Sequence, residues 1–197
     1  MNQSSYFAEK LARRKDILDL SMNATEHQLM DAAHLIGDSL LQGGKVVTLG
    51  LAGSTSIAQY LAALLMTRFD RERPGLPAIA LNADAVTYSA AVSEFSQRNT
   101  WSSLIRTLTQ QPDILVIYSA NDETPSCREA IETAADRGIP VILFSSALSA
   151  TLGSLLCEHS IEVQVAGAVS HEIQEMHLAT THTLCDLIDI QIFGDAS

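Results

Sequence analysis

Asp113-Ile114-Leu115-Val116-Ile117-Tyr118 runs without a break into Ser119-Ala120-Asn121-Asp122-Glu123-Thr124-Pro125. A continuous apolar run, not an alternation of apolar and polar residues, describes a strand covered on both faces, as in a parallel sheet. Thr124 and Pro125 then open a helix that reads to Arg137 and stops at Gly138. The turn between them has the shape of an anion cradle, with the side-chain donors of Ser119, Asn121 and Thr124 beside the backbone N–H groups of a helix start. Asp122 and Glu123 sit inside that turn. Their carboxylates repel a phosphate dianion at a few ångströms by roughly several kcal/mol where screening is poor. They also meet the helix dipole favourably while Thr124 caps the helix, so the turn has a purely structural account as well.

The same pattern recurs along the chain. Lys45–Leu49, Ala78–Leu81 and Pro140–Phe144 read as buried strands, and Ser160–Val165 as a weaker fifth. Helical patterns lie between them, among them Ser54–Met66, rich in Ala and Leu. Strand–helix alternation with short connections predicts an α/β fold: a three-layer αβα sandwich around a five-stranded parallel sheet, flavodoxin-like. Ligands of such sheets bind at the carboxyl ends of the strands, which gathers the turns after Leu49, Leu81 and Tyr118 around one cleft. Gly50-Leu51-Ala52-Gly53-Ser54 forms the first of these turns. Its glycines permit close approach, and Ser54 at a helix start suits an anion. A short strand–helix loop needs glycine and an N-cap serine in any case.

Both ends of the chain are helical. Tyr6, Phe7, Leu11, Ile17 and Leu18, then Leu29, Ala33, Ile36 and Leu40, follow helical spacing, as do Met176, Ala179, Thr183, Leu187 and Ile190 near the end. This exceeds what a five-stranded sheet needs for cover. The excess, with the N-terminal helices over residues 1–43, reads as a subunit interface; cover of one monomeric core is the other account.

The 197 residues suit one domain, 1–197, and show no linker tract. A formal net charge of −11 repels nucleic acid, so direct DNA or RNA binding is not expected, whereas a protein partner is compatible with it. Acidity also serves solubility. No apolar run suits a membrane span, and the first residues lack a signal-peptide layout, so a cytoplasmic location is expected. Cys127, Cys157 and Cys185 read as buried thiols, not as a disulfide framework or zinc site. Gln174 and His182 lie about two turns apart on one helical face, next to Glu175, and two weak ligands do not make a metal site. No metal or cofactor is expected. Arg68-Phe69-Asp70-Arg71-Glu72-Arg73-Pro74 reads as a solvated charge cluster placed where it could also serve subunit contacts.

Together these segments resemble the sugar isomerase (SIS) domain family, in the branch holding phosphoheptose isomerases and the DnaA initiator-associating protein DiaA. The resemblance rests on Gly50–Ser54, Arg68-Phe69, Glu72–Asn82, Ser119–Thr124 and Ile173-Gln174-Glu175-Met176-His177. The end, Leu184–Asp189 followed by Ile192 and Phe193, looks most like DiaA. The resemblance places the isomerases' Asn and second Gly at Leu51 and Ala52, their histidine at Tyr60 and their catalytic glutamate at Leu64. Gln174 and His182 match the distal pair of that site. The phosphate loop loses a hydroxyl at Ala120 and gains charge at Asp122 and Glu123, and Glu172 stands where the family often has arginine. Isomerisation needs a base to move a proton between adjacent carbons, and leucine is none.

The resemblance therefore implies a non-catalytic homotetramer similar to DiaA that binds the initiator DnaA, with Ile192 and Phe193 as its apolar contact. No catalytic residue is assigned. Gly50, Gly53, Ser54, Ser119, Asn121, Thr124, Gln174 and His182 line a vestigial phosphosugar cleft. Two alternatives stay open: a sedoheptulose-7-phosphate isomerase whose base has moved to Glu175 or Glu94, and a sensor of a less anionic sugar derivative.

Overall fold

The computed structural model describes residues 2–120 and 125–195. Five strands, β1 Val46–Gly50, β2 Ala78–Ala80, β3 Ile114–Tyr118, β4 Val141–Ser146 and β5 Ile161–Val165, form an all-parallel sheet in the order β2-β1-β3-β4-β5. The helices are α1 Gln3–Leu41, α2 Thr55–Met66, α3 Ala85–Leu108, α4 Pro125–Asp136, the short α5 Ala150–Gly153, and α6 Ser170–Phe193. Val47 pairs with Leu115, and Leu115 with Val141, at the centre of the sheet.

Alternation along each strand divides the core in two. Ile114, Val116 and Tyr118 face α1, α2 and α6, meeting Leu29, Ile36, Leu61, Leu65, Leu184 and Ile188. Leu115 and Ile117 face α3, α4 and α5, meeting Ile105, Trp101, Ile131 and Leu152. Both faces of β3 and β4 are buried, which is why their sequences are continuous apolar runs.

The expected strands and the helices at Ser54–Met66 and Thr124–Arg137 are present, with ends displaced by one or two residues. The N-terminal stretch is one 39-residue helix, not several. It is about 58 Å long. Ser21, Thr25 and Gly37 lie on its buried side, and a Cβ at Gly37 would stand 2.7 Å from Cγ of Gln191, so small residues let α6 approach closely. The sequence reading did not single out α3. Its Ser- and Thr-rich middle hides the period, and it bends at Ser96 (φ 70°, ψ 158°). Asp84 caps it, accepting from the N–H groups of Val86 and Thr87 at 2.9 and 3.3 Å. Cys157 departs from expectation: it is exposed, 3.1 Å from the Ser160 hydroxyl, whereas Cys127 and Cys185 are buried. Among the described residues no helix is long and apolar enough to cross a membrane.

Candidate functional site

The first turn is built around the Gly50 carbonyl, which accepts from Asn82 Nδ2 at 2.7 Å and Thr55 Oγ1 at 3.0 Å. A Cβ on Gly50 would collide with the backbone carbonyl of Ser54, so glycine is obligatory here. Gly53 is also fixed by a neighbour. A Cβ there would lie 2.5 Å from Nε2 of Gln174, so the loop backbone and the Gln174 amide are in close approach. Of the two accounts of Ser54, the capping one does not hold. The residue sits at the α2 start but makes no capping bond, and its buried Oγ lacks a partner among the described residues. Thr55 and Ser56 satisfy carbonyls of the turn instead.

The three strand-end turns adjoin. The Leu51 N–H donates to the Tyr118 carbonyl at 3.3 Å, and the Leu81 N–H to the Thr48 carbonyl at 2.9 Å. Ser119 is buried at the end of β3, its N–H bonded to the Phe144 carbonyl at 2.9 Å. Asn121 and Thr124, with Asp122 and Glu123 between them, lie outside the described residues. Gly50, Gly53, Ser54, Ser119 and Gln174 thus share one end of the sheet. Asn82 joins them through its bond to Gly50, and its buried Oδ1 has no partner among the described residues.

His182 lies two turns further along α6, beside the middle of α2. Its ring stacks on Phe69 with centroids 5.4 Å apart and meets the edge of Tyr60 at 5.8 Å. The buried Nε2 has no partner among the described residues. Leu64 is half-buried and packs on the core, and its carbonyl accepts from Arg73 Nη2 at 3.0 Å. Asp186, one turn beyond His182, has its pKa raised by burial and by Asp70 and Asp189. Among the described residues no group of three His, Cys, Asp or Glu side chains could hold a metal ion.

Two contacts change the meaning of the α6 acids. Glu172 accepts from Arg13 Nε and Nη2 at 2.5 and 2.9 Å and from the Ala168 N–H at 3.1 Å. These bonds, Arg13 first, pull its pKa down to about 2. The charge of Glu172 is therefore neutralised by α1 and does not bear on the cleft uncompensated. Arg14 pairs with Glu175 at 2.9 Å in a more exposed contact. The two ion pairs straddle Gln174.

The charge cluster after α2 is also not uniformly solvated. Arg68 and Glu72 form an exposed pair, but Arg73 is a buried clamp. It bonds Asp189 at 2.6 Å, with side chains 1% and 5% exposed, and donates to the carbonyls of Leu65 and Pro74. Ile192 and Phe193 are half-buried at the end of α6 and pack against the core. His177 is fully buried; its Nε2 lies 3.1 Å from the Ser145 carbonyl, and burial lowers its pKa to about 4. Sequence reading missed Arg13 and Arg14, and named Phe69 without its contact to His182. No local signal pairs residues 159 to 161 positions apart.

Residues 7–146 match the SIS domain family model. The chain is 36% identical over 177 residues to a phosphoheptose isomerase of Alkalilimnicola ehrlichii, covering 90% of each chain. It is 35% identical over 190 residues to that of Methylococcus capsulatus, covering 96% of this chain and 95% of the other. The solved phosphoheptose isomerase from Francisella tularensis superposes with a TM-score of 0.89 at 28% identity, over 96% of this chain and 99% of that one. The matched range, the all-parallel sheet and the strand-end glycine turn packed on Gln174 agree, and the chain belongs to the SIS domain family.

Proposed function

We propose that this protein is a non-catalytic SIS-domain regulator similar to DiaA: a homotetramer that binds the replication initiator DnaA through the end of α6. Leu64 carries the reading. An apolar side chain packed on the core stands at the position that the resemblance matches to the isomerases' catalytic glutamate. His182, which the resemblance matches to a residue of the same site, lies against the Phe69 and Tyr60 rings. A relocated base has little support. Glu175 is held by Arg14, and Glu94 stands exposed on α3.

Exposed Tyr6, Phe7, Leu11 and Leu18 on α1, with Tyr60 and Met66 on α2 and Leu178 and Ile190 on α6, supply apolar surface for association. The test has two arms. Purified protein is expected to show no turnover of sedoheptulose 7-phosphate, and turnover lost in Glu175→Gln would establish the isomerase instead. The amino-terminal domain of DnaA is expected to be captured, and Ile192→Ala with Phe193→Ala to abolish capture at unchanged oligomer mass. Unaltered capture by that variant removes the assignment.

Ser54 Oγ and Asn82 Oδ1, both buried and without partners among the described residues, favour a second reading, a sensor for a neutral or amino sugar in the same cleft. Stabilisation in a thermal-shift assay by such sugars, and none by sugar phosphates, would support it.

A further inference from the structure

The segment between α2 and β2 straps the end of α6. Arg73 anchors it from inside through Asp189. Further out, Arg71 Nη1 donates to the Gly194 carbonyl at 2.6 Å, and its guanidinium lies 5.8 Å from the centroid of Phe193. Arg71 differs from its neighbours in charge balance. Arg68 is paired with Glu72 and Arg73 with Asp189, but Arg71 meets no carboxylate at ion-pair distance among the described residues. Its partners are a neutral carbonyl and an aromatic face. An unbalanced cation on a chain of net charge −11 thus stands over the half-buried ring assigned above to the partner, with Ile190, 45% exposed, on the same terminal turn. Arginine is among the residues enriched at the hot spots of protein interfaces, together with large aromatic side chains.

We propose that Arg71 is the electrostatic half of the partner surface whose apolar half is Ile192 and Phe193. The surface fits a protein segment carrying an acidic side chain next to an apolar one: the apolar group meets Phe193, and the carboxylate takes the guanidinium edge left open by Gly194. This rests on the partner reading of the α6 end given above.

The test measures affinity for the purified amino-terminal domain of DnaA at low and moderate salt, for the unaltered chain and for Arg71→Glu, Arg71→Lys and Phe193→Ala, with oligomer mass and Tm recorded for each. Arg71→Glu is expected to weaken binding at least about tenfold and to flatten its salt dependence. Arg71→Lys, which keeps the charge and loses the fork, is expected to fall between it and the unaltered chain. If Phe193→Ala abolishes binding while Arg71→Glu binds like the unaltered chain, this inference fails and the partner reading stands. Should Phe193→Ala bind normally, both fail. A drop in oligomer mass with Arg71→Glu would show a contact between copies of this chain and overturn the inference.

Discussion

Ala52 holds φ at 47° in the turn after β1, a left-handed conformation that glycine adopts without cost. The resemblance places a glycine there in the isomerases. Left-handed backbone costs a Cβ-bearing residue about 1–2 kcal/mol, and glycine returns about 0.4–1 kcal/mol of that through its freer unfolded chain. Ala52 is exposed, so little packing is lost with its methyl group. Ala52→Gly is therefore expected to stabilise the fold by about 0.5–1 kcal/mol, read as a higher urea midpoint; a lower midpoint would show that the Cβ has a packing role. Arg73 and Asp189 are the opposite case, a pair that the fold requires as a pair. Asp189→Ala would leave the guanidinium buried against the carbonyls of Leu64 and Leu65. It is expected to cost about 3–5 kcal/mol in denaturant unfolding, whereas exposed Glu72→Ala should cost under about 1 kcal/mol.

At the scale of elements, α6 carries most of what distinguishes the site. Its inner face is tied to the sheet by His177 on the Ser145 carbonyl and by Thr181, whose hydroxyl lies 2.8 Å from that of Tyr118. His177 titrates near 4 in the fold, against an ordinary value of 6.5, so between these limits the unfolded chain binds the extra proton. The stability that goes with the neutral ring is complete above about pH 6.5 and is lost as pH falls towards 4. The loss reaches roughly 3 kcal/mol at the lower limit. Urea unfolding at pH 7 and pH 4.5 should show this decline, and His177→Asn should shrink the difference between the two.

The elements also show how far local pattern reaches. Five strands and the helices α2, α4 and α6 were legible because apolar runs and helix starts and stops are local signals. The bend at Ser96 and the polar middle of α3 broke its period. Ser54 looked like a cap, but Gly50 draws the following hydroxyl, Thr55, to its own carbonyl, and Ser54 turns inward.

For the whole molecule, α1 decides the next question. Its second half is buried against α6 and the sheet, whereas Tyr6 and Phe7 near its start are 48% and 70% exposed. Such surface is expected to be covered by other copies of the chain. Light scattering should give a mass several times that of the monomer, and Phe7→Ser with Leu11→Ser should lower it without unfolding the subunit. A monomeric unaltered chain would count against the tetramer.

By itself the sequence determined the α/β class, the cleft at the strand ends and the SIS resemblance. It also set Leu64 at the position that the resemblance matches to the isomerases' glutamate, and Asp122 and Glu123 in the turn after β3. These are properties of residue type and short-range order. Only the tertiary structure decided that Glu172 is neutralised by Arg13, that Arg73 is a buried clamp, that Ser54 is not a cap, and that Phe193 lies under Arg71. Each of those facts depends on side chains or backbone groups brought together by the fold. Charge and burial act through distance in space, which spacing along the chain does not encode.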